Sequence, residues 1–142
     1  MVAFISEGWN GVSCLQTHTK APPDVTFYTD ASGNWGCAAV ELPYWFHLQW
    51  PQSWLQNSIA IKELLPIVMA VAIRGRRWAK KKHVLCRCDN MAVVNILHSR
   101  SSKDPIIMHL LRSLHFFLAH WEIHLTASHI PGKLNTLADA LS

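Results

Sequence analysis

The sequence contains no apolar run long enough to cross a lipid bilayer. Its longest apolar stretch, residues 64 to 73, is interrupted by Pro66 and is well short of the roughly 20 residues that a membrane helix needs. The first residues also lack the basic start, the apolar segment and the small-residue cleavage site of a secretory signal peptide. We therefore predict no contact with a membrane, and we expect an intracellular setting in the cytoplasm or the nucleus.

Cysteines are few, and none of them is spaced as a metal-binding or redox pair. The four cysteines include no C-x-x-C motif, and Cys86 and Cys88 alternate on one face of a predicted strand, where buried thiols are common. We interpret the cysteines as reduced residues of the core. The spacing of His115, His120 and His124 across a helix end is likewise a poor match to a zinc site.

Acidic residues are outnumbered by basic ones. Nine Asp and Glu residues stand against thirteen Lys and Arg, which gives a formal net charge of +4. Six of the basic residues fall within nine positions, and we call this set the basic window: Arg74, Arg76, Arg77, Lys80, Lys81 and Lys82. Such a window suits the phosphates of a nucleic acid, although a solvated helix C-terminus has the same composition.

The length and the hydrophobic content of the chain are sufficient for one folded domain. Its 142 residues, half of them hydrophobic, are enough to bury a substantial core. Residues 1–24 contain turn formers without a sustained period, and we interpret them as a connector from an upstream region. The folded domain is predicted over residues 25–142. Most of the seven tryptophans are expected in its core, and the alternative for some is a groove lining.

The spacing of apolar residues predicts an α/β domain. Three β-branched and aromatic runs between residues 25 and 50 predict an antiparallel meander of three strands. A fourth strand is predicted over residues 83–89, and Asn90 is a good cap for the short helix that follows. Asp104 and Pro105 begin a clearer helix, and a fifth strand precedes an incipient last helix.

The first helix carries two residues that usually interrupt helices. Its apolar residues recur at helical spacing from residue 61 to residue 72. Since Pro66 costs about 3 kcal/mol inside a helix, either the helix begins near Glu63, or it is kinked at the proline. We predict that it stops at Gly75.

Four of the nine acids are predicted at the ends of elements: Asp30, Glu63, Asp89 and Asp139. If the first and fourth strands pair in parallel, Asp30 and Asp89 end side by side. Clustered carboxylates repel one another unless cations lie between them, and oxygen ligands favour Mg²⁺ or Mn²⁺. Phosphoryl transfer with two bound ions is the chemistry that needs such a site. Any one of these acids taken alone is better explained as a strand-end cap or a surface residue.

Four segments resemble, in order, the motif blocks of ribonuclease H as it occurs in reverse transcriptases of retrotransposons. The segments are "YTDASGNWGCAAV", "IKELLPIV", "VLCRCDNMAVV" and "HIPGKLNTLADALS". Their amino-acid sequences are most similar to those of DIRS-like and gypsy-type elements. The resemblance implies a ribonuclease H-like fold, a five-stranded mixed sheet with flanking helices. In that sheet the first three strands are antiparallel and strands one, four and five are parallel.

The resemblance also implies roles for individual residues. Carried over by position, the metal ligands are Asp30, Glu63, Asp89 and Asp139, and two Mg²⁺ ions, which Mn²⁺ can replace, are the cofactors. His129 precedes Asn135 by six residues, which matches the family's mobile-loop histidine, a residue that helps the product leave. Asn135 is then expected to brace that loop or to touch substrate. Only three residues follow Asp139, so the last helix is shorter than the family's.

The implied activity is cleavage of the RNA strand of RNA/DNA hybrids during reverse transcription, in one segment of a reverse transcriptase polyprotein. In addition to the basic window and Asn135, the candidate substrate contacts are Asn57, Ser58 and Asn90. The family often has an Asn-Gln type pair four and three residues before the glutamate, where this chain has Ile59 and Ala60. Recognition of the RNA 2′-hydroxyls is therefore expected to differ from that of better-studied members.

Two other functions share this fold. A non-catalytic connector or nucleic-acid-binding module of a reverse transcriptase has no need of four clustered acids, whose mutual repulsion lowers stability. An integrase or resolvase places two aspartates before a glutamate on a late helix. The late glutamate of this chain, Glu122, instead begins a predicted strand.

Overall fold

A computed structural model describes residues 22–81 and 83–141 of the chain, without the side chain of Leu137. All but residues 22–24 of the predicted connector lie outside the described residues, so the connector stays a prediction. No helix within the described ranges combines the length and the hydropathy of a membrane span.

Five strands and four α-helices follow one another in the predicted order. The elements are β1 (Val25–Ala31), β2 (Gly36–Glu41), β3 (Tyr44–Gln49), α1 (Ile59–Trp78), β4 (Val84–Cys88), α2 (Met91–Ser99), α3 (Pro105–Trp121), β5 (Leu125–His129) and α4 (Thr136–Leu141). Short 3₁₀ turns at Gln52–Trp54 and Gly132–Leu134 precede α1 and α4. Asn90 and Asp104 cap α2 and α3 as predicted: Asn90 accepts the backbone N–H of Val93, and Asp104 accepts those of Ile106 and Ile107.

The strands form a mixed sheet in the order β3-β2-β1-β4-β5. β1 pairs antiparallel with β2, and β2 pairs antiparallel with β3. β1 pairs in parallel with β4, and β4 pairs in parallel with β5. The predicted arrangement, an antiparallel meander joined to a parallel half, is confirmed.

Helix α1 begins earlier and ends later than predicted. Ser58 caps it by accepting the N–H of Ile61, and Pro66 lies inside the helix. Of the two predicted alternatives, the start near Glu63 is therefore wrong, and a kink at Pro66 stays a prediction. The predicted stop at Gly75 is also wrong, because the helix continues to Trp78. A Cβ atom at Gly75 would lie 2.5 Å from Cδ1 of Trp121, so the glycine provides a close contact with α3 rather than a helix end.

Because of this contact, we expect Gly75→Ala to destabilise the protein, although replacing glycine by alanine in a helix usually stabilises it. In a helix free of contacts, alanine is more stable than glycine by about 1 kcal/mol. Overpacking against the Trp121 ring costs about 1 to 3 kcal/mol, so we expect Gly75→Ala to lower the free energy of unfolding, measured by urea denaturation. Gly33→Ala is the control, since an added Cβ there meets nothing within 4 Å. Unchanged or higher stability of Gly75→Ala would contradict the packing role.

The core lies between the sheet and the helices α1 and α3. Phe27 of β1 stacks on Trp78 of α1 with ring centroids 4.9 Å apart, and both side chains are buried. Trp50 is also buried, whereas Trp35 is exposed. Among the described cysteines, Cys37, Cys86 and Cys88 are free thiols in the interior. Their interpretation as reduced core residues is therefore confirmed for these three.

Candidate metal centre

The carboxyl ends of β1 and β4 meet at one edge of the sheet. In the parallel register, Thr29 lies opposite Cys88, so the next residues, Asp30 and Asp89, follow side by side. The sequence-based expectation that these two acids are neighbours is confirmed. Asp30 is buried, and Asp89 is partly buried.

Helix α1 adds a third carboxylate to this edge. Glu63 is only 5% exposed, and one of its carboxylate oxygens lies within 4.8 Å of a carboxylate oxygen of Asp89. Its Oε1 atom is buried and accepts no hydrogen bond from the described residues. Buried polar atoms usually have a partner, so this oxygen points to a ligand that the protein itself does not supply.

The electrostatics of Glu63 show that the acids act on one another. Burial, as the largest cause, and the negative charges of Asp30 and Asp89 together raise the pKa of Glu63 to about 9. The backbone N–H of Ala31 acts in the opposite sense. Without a cation the Glu63 carboxyl is therefore protonated near neutral pH, and a bound cation would favour its ionised form.

The thiol of Cys88 belongs to the same cluster, which the sequence did not reveal. Its Sγ lies within 4.8 Å of the ligand oxygens of Glu63 and Asp89. The side chain is fully buried, and Asn90 donates its backbone N–H to the sulfur at 3.4 Å. The pKa of this thiol is raised to about 12, above all by burial and also by the charges of Glu63 and Asp89, while hydrogen bonds with the Asn90 backbone and the Thr29 side chain act to lower it. The one feature that could have indicated the place of Cys88 in this cluster was its position immediately before Asp89, on the helix-facing side of β4.

Asp139, the fourth predicted ligand, is not one of the three described residues whose ligand atoms lie within 4.8 Å of one another. It is exposed in the first turn of α4, and its backbone N–H donates to the carbonyl of Asn135 at 3.0 Å. Asn135 is buried, and its Nδ2 donates to the carbonyl of Thr29 at 2.8 Å. This bond ties the start of α4 to the end of β1, and the implied role of Asn135 in bracing the histidine loop or touching substrate stays a prediction.

His129 and Gly132 lie beside the backbone and the side chain of Asp89. His129 is the last residue of β5, and its Nε2 lies 3.2 Å from the carbonyl oxygen of Asp89. The histidine closes β5 in this structure, and its role as a mobile-loop residue stays a prediction. A Cβ at Gly132 would lie 3.2 Å from Oδ2 of Asp89, so a larger residue there would crowd the carboxylate.

The smaller polar candidates lie at helix starts. The hydroxyl oxygen of Ser58 accepts from Ile61 at the start of α1, and Oδ1 of Asn90 accepts from Val93 at the start of α2. Asn57 is partly buried in the turn before α1. These side chains shape the helix starts, and their contact with substrate stays a prediction.

The basic window lies far from the carboxylates. Arg76 follows Glu63 by thirteen residues of α1, which is roughly 20 Å along a helix axis. Arg74 is paired with Glu41, with Nε 3.0 Å from Oε1, and its guanidinium lies 4.0 Å from the ring centroid of Tyr44. The other described members, Arg76, Arg77, Lys80 and Lys81, are at least partly exposed, and Lys82 is outside the described residues.

The sequence-based predictions also did not identify a buried lysine, which directly precedes Glu63. Lys62 is 3% exposed, and its Nζ donates to the carbonyls of Gly33 and Leu55. It therefore connects the turn after β1 to the segment before α1.

Glu122, which an integrase would need at the site, ends α3 in a left-handed conformation with φ 55°. It precedes the opposite end of β5.

No protein-family model and no curated protein sequence matches the chain. Solved structures do. A crystal structure of LC11-RNase H1 in complex with an RNA/DNA hybrid aligns with a TM-score of 0.69 at 18% identity, over 83% of this chain and 93% of that one. RNase H1 from the halophilic archaeon Halobacterium salinarum aligns with a TM-score of 0.63 at 18% identity, over 82% and 92% of the two chains.

A viral protein has a similar domain. The foamy viral protease-reverse transcriptase in complex with an RNA/DNA hybrid aligns with a TM-score of 0.60 at 14% identity. The match covers 89% of this chain and 21% of the viral chain. The chain therefore has a ribonuclease H-like fold, as the four motif blocks led us to expect.

Proposed function

We propose that the chain is a metal-dependent ribonuclease H that hydrolyses the RNA strand of RNA/DNA hybrids. The observation that carries the proposal is the buried, unpartnered carboxylate oxygen of Glu63 beside Asp89 at the carboxyl edge of a ribonuclease H-like sheet, within the described residues. Two of the similar structures hold an RNA/DNA hybrid. We further propose that the chain serves reverse transcription of a DIRS-like or gypsy-type retroelement, as an intracellular segment of a reverse transcriptase polyprotein.

The residues at the site fit divalent cations. Glu63 Oε1 has no hydrogen-bond partner among the described residues, and carboxylate oxygens are the ligands that Mg²⁺ and Mn²⁺ prefer. In this proposal two ions are held by Asp30, Glu63, Asp89 and Asp139. When bound, the ions activate a water molecule and stabilise charge on the phosphate oxygens. The bracing bond of Asn135 to Thr29 fixes the start of the helix that carries Asp139.

His129 is proposed to handle a proton during product formation. An imidazole takes up and releases protons near neutral pH, so it can donate one to a leaving 3′ oxygen. Its contact with the Asp89 carbonyl, at 3.2 Å, holds the ring next to the acid cluster. His129→Ala is therefore proposed to slow turnover while leaving the metal ligands in place.

Substrate contacts are proposed on both sides of the site. Ser58 and Asn90 use their oxygens to cap helices, and their hydroxyl and amide protons are then the donors that reach RNA hydroxyls or phosphates. Asn57 and Asn135 complete this set. The exposed part of the basic window is proposed to bind a more distant stretch of the nucleic acid, away from the cut.

The proposal is tested by incubating the purified chain with labelled RNA/DNA hybrid, duplex DNA and single-stranded RNA. Each substrate is supplied with Mg²⁺, Mn²⁺ or EDTA. We expect cleavage of the RNA strand of the hybrid alone, with either metal and not with EDTA. An intact hybrid under both metals at high protein concentration would replace the nuclease with the non-catalytic connector.

The role of the basic window is tested by the double variant Arg76→Ala/Arg77→Ala. Both side chains are exposed, so the folded core should tolerate the change. We expect weaker binding of the hybrid, and the slope of log Kd against log salt should flatten by about 1 for each phosphate that the variant no longer binds. The charge-matched control is Lys103→Ala/Arg112→Ala, which removes two cations outside the window. Equal slopes for the two double variants would show that the window does not bind phosphates.

A further inference from the structure

The compact group at the carboxyl edge contains a sulfur atom as well as oxygens. Sγ of Cys88 and one carboxylate oxygen each of Glu63 and Asp89 all lie within 4.8 Å of one another. Cys88 is fully buried on the side of β4 that faces α1. The neighbouring Oε1 of Glu63 is buried and without a hydrogen-bond partner among the described residues. A buried thiol and a buried carboxylate with one unsatisfied oxygen thus belong to the same three-ligand group.

This donor set differs from one made only of carboxylates. Oxygen ligands suit Mg²⁺, whereas a thiolate is a soft ligand that Mg²⁺ does not use and that Zn²⁺ and Cd²⁺ bind strongly. With Zn–S bonds of about 2.3 Å and Zn–O bonds of about 2.0 to 2.2 Å, tetrahedral ligand atoms lie roughly 3.5 Å apart. Closing the group from its 4.8 Å limit to that spacing requires movements of about 1 Å.

We propose that Cys88, Glu63 and Asp89 form a binding site for a soft divalent cation, Zn²⁺ in the first place. As the sulfur–metal bond forms, the thiol releases its proton to water, and no electron transfer is involved. The soft ion uses two of the carboxylates proposed for Mg²⁺, so the two ions compete. Inhibition by Zn²⁺ rests on the proposed nuclease function, whereas binding of the ion does not.

Cys86 provides a matched comparison. It lies on the same strand and the same face as Cys88 and is equally buried. Its Sγ lies 4.0 Å from Oγ1 of Thr29, and Cys86 is not part of the three-ligand group. A metal bound only because a buried thiol is present would not distinguish these two cysteines.

Binding is measured by titrating Cd²⁺ into the full chain without Mg²⁺ and following the ultraviolet charge-transfer absorption of cadmium thiolate. We expect one Cys88-dependent equivalent in the wild type and in Cys86→Ala. The absorption from this equivalent should be lost in both Cys88→Ala and Cys88→Ser, and it should weaken in Glu63→Gln. Cys14 and Cys37 are present in all these proteins, so they contribute a constant background. A band that persists in both Cys88 variants, or that never forms, overturns the inference, and circular dichroism checks that each variant is folded.

Inhibition separates this inference from the proposed function. Cleavage of the hybrid is measured with Mg²⁺ and increasing Zn²⁺, and each protein is compared with its own rate without Zn²⁺. The Zn²⁺ concentration for half inhibition should rise at least about tenfold in Cys88→Ser and stay unchanged in Cys86→Ala. A cadmium band in a chain that cleaves no hybrid refutes the nuclease and supports the soft site. Cleavage without the band refutes the soft site alone.

Discussion

Replacement of Asp89 by asparagine is expected to lower the rate of hybrid cleavage by about a thousandfold, the size of effect seen when one electrostatic group is removed from a reaction centre. The substitution keeps the shape of the side chain and removes its negative charge. Asp89 lies next to Asp30 in the strand register and within 4.8 Å of Glu63, so its charge belongs to the proposed cation site. Steady-state cleavage of labelled hybrid in Mg²⁺ measures the effect.

The matched control for this substitution is Asp104→Asn. Asp104 also carries a partly buried carboxylate, but it caps α3 through the N–H groups of Ile106 and Ile107. Asparagine is an equally good cap, so its cleavage rate and stability should remain close to those of the wild type. Equal activity of Asp89→Asn and Asp104→Asn would remove Asp89 from the reaction.

Substitution of Glu63 by glutamine is expected to abolish a dependence of stability on pH. In EDTA, the pKa of Glu63 is about 9 in the folded protein against a usual value of 4.5. Between these two values the folded state holds a proton that the unfolded state has released. The free energy of unfolding therefore falls as pH rises through this window. At about 1.4 kcal/mol per unit of pKa shift, the Glu63 contribution should exceed about 2 kcal/mol between pH 5 and pH 9.

Urea denaturation at pH 5, 7 and 9 measures this contribution as the difference between wild type and Glu63→Gln. The difference cancels the titration of the nine histidines, which both proteins share. Glu122→Gln, at an exposed position, should retain the wild-type dependence. Added Mg²⁺ should stabilise the wild type most at high pH, where it replaces the lost proton. Parallel pH curves for wild type and Glu63→Gln would show that burial and the neighbouring acids do not raise the pKa of Glu63 in the folded protein.

The sheet could be predicted because its signals are local. Alternating and β-branched runs mark each strand, and Asn90 and Asp104 cap the helices that follow them in the sequence. The adjacency of Asp30 and Asp89 followed from parallel pairing alone. The placement of Glu63 beside them required the packing of α1 on the sheet, which the motif resemblance implied and periodicity did not.

The sequence-based predictions failed for residues whose environment is determined by residues distant in the sequence. Gly75 has the local character of a helix stop, but Trp121, distant in sequence, packs against it and leaves no room for a side chain. Arg74 lies among basic neighbours in the sequence, yet it pairs with Glu41 on β2. The burial of Cys88 was visible in the strand pattern, whereas its carboxylate neighbours come from another element and from the strand end.

The most direct test of the cation site is Mn²⁺ binding measured by electron paramagnetic resonance, because free Mn²⁺ gives a signal that bound Mn²⁺ loses. The wild type and Asp104→Asn are expected to bind Mn²⁺ equally. Asp89→Asn and Glu63→Gln are each expected to lose at least one ion or to bind it at least about tenfold more weakly. Identical Mn²⁺ binding by all four proteins would contradict the proposal that these carboxylates form one cation site.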